Sequence, residues 1–551
     1  MAPPFPKRIR VAGFVLFWKV GHQDPYPIAI YSFKFHCLSC CPHLSTHYCP
    51  TVTCWSDYAR APDSVPRVPK TASIALFRFK EPSTAVELAR DRAFCGALMQ
   101  SLNHDAYDAH LAGLSFTVEA ARRGLEVRVS GFDARASEAF QLVAARLTQA
   151  LSGKTCGFED EAAGTRAFLA DAEDLARRCA DSIRDDPIRL AGGWARRAVD
   201  ADSDVVDVDS VGEASGKLSE EDVAVAASDL SRRLSSAHLE IYVAGNVDTE
   251  WALGFAERAR GIAPPVDASR PEPEQALKLP VGDTVLELRA LSEDSERKQT
   301  LFAGDADAPP SSEGDPNCAV EMVFQVGRAG DDDDASSHGW SSANARDGAA
   351  TLLGRIAQSS AFNRLRTKEQ LGYLVDAGLD VVEGAVSIRC GVQSATGLDP
   401  KGLEERIESW TVALRDEISN MSEDDVASQA RGLATELLQR PGALRDVVSR
   451  DWHEVSTGRR RFSHVEKRAQ SLLEVSKQDL LRLVDDHLLS DKRRVLRTRV
   501  YAAGDDRDGT CDPEGWTVLR TRDQLRAWKE RADYWPPAVR WDEGGVGAPA
   551  D

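Results

Sequence analysis

Two side chains with complementary chemistry bracket the octapeptide Arg366-Thr-Lys-Glu-Gln-Leu-Gly-Tyr373. Arg366 offers a planar fork of donors suited to carbonyl or carboxylate oxygens. Tyr373 offers a single phenolic donor of the kind that stabilises an oxyanion as it forms. The two flank a turn in which a predicted helix gives way to a strand through Gly372. On residue chemistry alone the commoner role for such a pair is plainer: a surface arginine and a half-buried tyrosine capping a sheet edge.

No self-sufficient catalytic set accompanies them. A zinc peptidase needs ligands grouped on rigid elements with a carboxylate placed to activate water. Neither His-x-x-Glu-His nor His-Glu-x-x-His occurs in the sequence. His43 and His47 have the histidine spacing, but Thr46 stands where the base is needed. His453-Glu454 has no second histidine at helical spacing, and His464-Val-Glu466 lacks the Pro-Cys-x-x-Cys of zinc deaminases. Gly-x-Ser-x-Gly, the Walker loop and Gly-x-Gly-x-x-Gly are all missing. Five of the 11 cysteines, Cys37, Cys40, Cys41, Cys49 and Cys54, crowd together with His36, His43 and His47. Their spacing matches no zinc module closely, and an unfolded or non-authentic leader is the plainer account of residues 1–54.

The elements that would position Arg366 and Tyr373 recur in order along the chain. Thr71 to Phe79 reads as a strand with apolar residues on both faces, hence covered on both. A helix from about Thr84, a hairpin from Ser115 to Val129 turning at Gly124, a helix to Leu151, further helix from about Ala162 to Val199 and a strand at His238–Gly245 come next. The order then repeats: a strand at Cys318–Val326, a helix over 343–358, and a hairpin from Gly372 that returns at Val386–Val392. Next comes an amphipathic helix carrying Leu403, Ile407, Trp410, Leu414 and Ile418 at helical spacing. Capping-box patterns begin the next helices at Ser422/Asp425 and at Ser476 with Asp479, and Arg494 to Ala503 closes the unit. Gly113 corresponds to Gly372, and Gly245 to Gly504, at one constant offset. The fold class is therefore α+β: two homologous domains, each an antiparallel sheet with helices packed on one face. Pro264-Pro265 and Pro271-x-Pro273 suit a linker between them. The acidic stretches Asp200–Glu213 and Asp331–Asp334 read as solvated loops.

Bulk properties bound the partners. A chain of 551 residues exceeds one core. A formal charge of −19 argues against nucleic acid, and no apolar run approaches the roughly 20 residues that span a bilayer. The segment Lys7 to Trp18 has only a faint signal-peptide shape, and the scattered remaining cysteines suit a reducing compartment. A cytoplasmic location is expected, with mitochondrial or secreted as alternatives.

The octapeptide, preceded by Ser360-Ala-Phe-Asn-Arg-Leu365, resembles the signature of the C-terminal half of the insulysin/pitrilysin (inverzincin) metallopeptidases. Leu102 to Ser115 resembles another stretch of that family, with Phe116 in the place of its final tyrosine. Ala244-Gly-Asn246 is similar to the family's Gly-Asn turn, and Arg520 to Pro537 to its closing helix and tail. The resemblance covers about Trp55 to Pro537. It implies an insulysin-like third domain over 55–263, a linker over 264–283, a fourth domain over 284–545 and a tail over 546–551. It also implies that Arg366 and Tyr373 hold substrate and tetrahedral intermediate across a peptide chamber. The zinc and general base would sit on a catalytic half that these residues do not contain, supplied in trans or in a full-length form. The chain itself is expected to bind no metal, to be inactive alone, to contact short peptides and to self-associate. The alternatives are a non-catalytic peptide-binding or regulatory homologue, or a truncated fragment without activity.

Overall fold

The computed structural model describes residues 14–20, 53–56, 69–262 (less 154, 184–185, 202–207 and 248), 275–289, 317–329, 340, 343–502 (less 395–397, 458–461 and 463) and 512–536. Cys37, Cys40, Cys41, Cys49, the Pro264–Pro273 linker, Asp331–Asp334 and Gly504 lie outside the described residues.

The first unit begins with strands β1 (Phe14–Val20), β2 (Thr53–Ser56) and β3 (Lys70–Arg78). Helix α1 (Ala85–Leu111) starts on a capping box between Thr84 and Glu87. The hairpin β4 (Ser115–Ala121) and β5 (Gly124–Phe132) is next, then α2 (Asp133–Leu151) and α3 (Glu161–Ile183). Helices α4 (Pro187–Val199), α5 (Val208–Ser215) and α6 (Glu221–Ser235), strand β6 (His238–Gly245) and α7 (Thr249–Ile262) complete it. The acidic stretch after Asp200 thus ends in α5, which buries Val211 and pairs Asp209 with Arg522 at 3.1 Å.

The second unit contains β7 (Leu277–Lys278), β8 (Gly282–Arg289) and β9 (Ala319–Arg328). Helix α8 (Ala343–Ala361) runs into a π-helical turn, Phe362–Lys368. The hairpin β10 (Val375–Val382) and β11 (Ala385–Gln393) turns through Glu383 at φ 43° and Gly384 at φ 88°, the paired positive φ of a tight hairpin turn. Then come α9 (Pro400–Asn420), α10 (Glu423–Leu437), α11 (Leu444–Ser456), α12 (His464–Leu472) and α13 (Lys477–Leu483). Strands β12 (Arg494–Tyr501) and β13 (Thr517–Leu519), helix α14 (Arg522–Arg531) and β14 (Asp533–Tyr534) end the unit.

The sheets run β2-β1-β6-β3-β5-β4 and β13-β8-β12-β9-β11-β10. The two orders match position by position. In each, four strands are antiparallel and two more are added in parallel: β1 on β6 and β8 on β12. The fold is α+β, and the repeat seen in the sequence is a repeat of architecture.

Each unit packs most of its own helices on one sheet face. The stripe Leu403, Ile407, Trp410, Leu414 and Ile418 on α9 is wholly buried there. The opposite faces are covered by exchange. Helix α4 leaves the first unit and lays Leu190, Ala191, Trp194 and Ala195 against Leu286, Leu288, Val323 and Leu496 of the second sheet. Helix α11 returns Leu444, Val448, Trp452 and Val455 to Ile74, Leu76 and Tyr242 of the first. Pro187 makes the first crossing. The helical stretch expected over 162–199 breaks before it, because proline suits a first helical turn and cannot continue one. Polar contacts fix both crossings. Arg78 donates to the Val455 and Ser456 carbonyls at 2.8 and 2.6 Å, and Tyr242 donates to Asp451 at 3.0 Å.

Candidate functional site

Arg366 sits in the π-helical turn that ends α8. A π turn inserts one residue into the helical repeat and rotates the residues after it. Leu365 stays buried in the core, while Arg366 reaches the sheet edge. The turn is held from outside. Arg364 donates to Glu369 at 2.9 Å and to Ser409 of α9 at 3.0 Å, and Arg406 lies 3.9 Å from Glu369. The chain then reverses at Gln370, whose φ of 53° is left-handed for a residue with a side chain. Such a conformation costs about 1–3 kcal/mol and collects at functional sites. The reversal expected at Gly372 is therefore made by Gln370.

Beyond the reversal Tyr373 stands 81% exposed. The structure brings it together with Arg366: the guanidinium carbon lies 4.9 Å from the Tyr373 ring centroid and 4.6 Å from that of Phe362. Both residues line the mouth of a cleft of about 350 Å³, within the size range of small-ligand sites. Its walls are α4 on one side and β10, β11 and β9 on the other. Val323, Val382 and Leu374 give it apolar surface.

Glu321 of β9 lies in this cleft and was not legible as a site residue. In a strand of alternating apolar residues one glutamate reads as a solvated position. It is 2% exposed. Room for it comes from Gly391 across the sheet, where a Cβ would fall 2.1 Å from its Oε2. Arg389 of β11 donates to Glu321 at 3.3 Å and also pairs with Asp376. Burial outweighs these contacts and pushes the Glu321 carboxyl up to about 7. Arg196 of α4 donates to Asp380 at 2.7 Å, so the first unit contributes to the wall by charge as well as shape.

Against this network Arg366 and Tyr373 differ from their neighbours. Among the described residues, no carboxylate or carbonyl accepts from the Arg366 guanidinium, and none pairs with the Tyr373 hydroxyl. Elsewhere, His464 lies 3.6 Å from Glu454, and among the described residues no group of three or more His, Cys, Asp or Glu is placed to hold a metal. The donor sets of these residues do not fit zinc.

Residues 60–200 match the model for the middle or third domain of peptidase M16, and residues 352–452 match PQQ synthase PqqF-like, C-terminal lobe domain 4. An insulin-degrading enzyme of Drosophila melanogaster is 26% identical over 280 residues, covering 50% of this chain and 25% of its own length. The peroxisomal insulin-degrading enzyme-like 1 of Arabidopsis thaliana is 25% identical over 419 residues, 74% of this chain and 38% of its own. The crystal structure of pitrilysin superposes with a TM-score of 0.67 at 18% identity, over 85% of this chain and 44% of that one. The chain thus spans less than half the length of these relatives. The two matched domains, the relatives and the shared fold together support an insulysin/pitrilysin-family, M16 peptidase-like protein.

Proposed function

We propose that this chain forms the C-terminal wall of a peptide chamber, with residues 55–263 and 284–545 as its third and fourth domains. A separate zinc-bearing half, in trans or in a longer form, would supply the chemistry of bond cleavage. Arg366 and Tyr373 would contribute the contacts of this half. The observation that carries the reading is their chemical availability: a held guanidinium and an exposed phenol, both without hydrogen-bond partners among the described residues, at the mouth of one cleft. The guanidinium would grip a substrate carbonyl, and the phenol would donate to oxygen as negative charge develops on it.

The test is cleavage of a quenched fluorescent peptide by the purified chain, alone and mixed with the isolated N-terminal half of an insulysin-like enzyme. Activity is expected only in the mixture. Tyr373→Phe should lower kcat by about 10²–10³-fold, the scale of losing one oxyanion donor, with little change in KM. An inactive mixture, or a Tyr373→Phe mixture as fast as the original, would refute the reading.

A further inference from the structure

The turn between Arg366 and Tyr373 is gripped by one stretch of α9. Arg364 spans the gap with a single guanidinium: its Nε donates to Glu369 at 2.9 Å and its far end to Ser409 at 3.0 Å. Arg406 of α9 lies 3.9 Å from the other Glu369 oxygen. Trp410 donates to Ser360, just before the π turn, at 3.2 Å. The backbone closes in the same place. The Glu369 amide donates to the Arg364 carbonyl at 2.9 Å, and the Leu371 amide to the Leu365 carbonyl at 3.0 Å. Between these two bonds Gln370 is held at a φ of 53°. A residue with a side chain keeps that conformation only where its surroundings over-determine it. Tyr373, three residues on, is too exposed for packing to aim it, so its direction comes from the reversal. The Arg364 and Glu369 side chains are 34% and 20% exposed. An ion pair open to water in this way adds little to stability, and its consequence here is geometric.

We propose that Glu369 is a positioning residue for Tyr373. With Arg364 and α9 it holds Gln370 in the left-handed conformation and so keeps the phenol ring against the Arg366 guanidinium. This rests on the peptide-chamber reading and adds to it the group that aims the phenolic donor.

In the test, the full chain carries 3-fluorotyrosine in place of Tyr373, and the fluorine resonance reports the ring's contact with Arg366. Glu369→Ala should shift and broaden that resonance while thermal unfolding stays within about 4 °C of the parent. Glu369→Gln keeps an oxygen for Arg364 and should restore most of the parental signal. If Glu369→Ala does not fold, Arg364→Gln removes the same pair from its other side and carries the same expectation. In the mixture with a zinc-bearing half, Glu369→Ala should lower kcat by about 10²-fold with little change in KM, the scale of misplacing a reacting group by about 1 Å. In the Tyr373→Phe background the same substitution should cost little more, because residues that act through one group are not additive. A resonance unmoved by Glu369→Ala, or a kcat loss just as large without the Tyr373 hydroxyl, overturns the inference and leaves the peptide-chamber reading standing. An inactive parental mixture refutes the chamber reading, and the resonance then decides the positioning by itself.

Discussion

Glu321→Gln should stabilise the protein at pH 8 and change it little at pH 5. Burial lifts this carboxyl from 4.5 to about 7, so the fold prefers it protonated. A group whose folded pKa is raised contributes stability that is complete below the unfolded value and is lost as pH rises through the folded one. Here that window runs from 4.5 to about 7. At about 1.36 kcal/mol per pH unit, ionised Glu321 costs the fold about 3 kcal/mol at pH 8 and under about 1 kcal/mol at pH 5. Glutamine has the shape of the neutral acid and cannot ionise. Its amide oxygen can still accept from Arg389, which keeps Asp376 as a partner.

Thermal unfolding of both proteins at pH 5 and pH 8 measures the difference. A gain of roughly 6 °C is expected at pH 8 for a unit of this size, against about 2 °C or less at pH 5. A variant no more stable than the parent at pH 8 would refute the reasoning. It would mean that the pair with Arg389 offsets the burial.

Trp194→Ala removes a fully buried indole from α4 and should cost about 3–5 kcal/mol. Hydrogen exchange should rise in β8, β9 and β12 of the other unit. Arg499 donates to both oxygens of Glu404 at 2.7 and 2.8 Å and to Glu287 at 3.2 Å. Arg499→Ala removes both hydrogen bonds to buried Glu404, while Glu287 keeps Arg520 at 2.7 Å and Tyr501 at 3.0 Å, and should cost about 3 kcal/mol in urea unfolding. Ser422 caps α10 by accepting from the Asp425 amide at 3.1 Å, so Ser422→Ala should cost about 1 kcal/mol by the same assay.

What the sequence made legible was local. The Leu403–Ile418 stripe is buried because an apolar face at helical spacing has one way to pack. The capping boxes at Ser422 and Ser476 form as their residue types demand. The apolar residues on both faces of Thr71–Phe79 correctly implied a strand covered twice. Their pattern did not say what covers the second face, because α11 comes from hundreds of residues away and its apolar face looks like that of any other helix. The break at Pro187 was likewise visible as a residue, and its consequence was not. Strand β8 was not legible as a strand in the sequence, since its pairing partner β12 is distant in the chain. The pair Arg366 and Tyr373 stood out by type, but the π turn and the strain at Gln370 are backbone facts with no composition of their own. Glu321 was invisible because its meaning depends on Gly391, a missing side chain on another strand.

The exchange of helices changes what counts as the site. Arg366, Tyr373, Glu321 and Arg389 all belong to the second unit, and chemistry could be assigned to that unit alone. Yet the cleft has a second wall only because α4 crosses from the first, and Asp380 is neutralised only because Arg196 crosses with it. Without α4, Leu286, Leu288, Val323 and Leu496 would face water, and a sheet face of that kind is expected to find another cover. The first unit is in the same position toward α11. Each half of the duplication is thus incomplete without the other. The first unit contributes no reactive group to the cleft, but it supplies the wall that makes an exposed sheet face into a cleft.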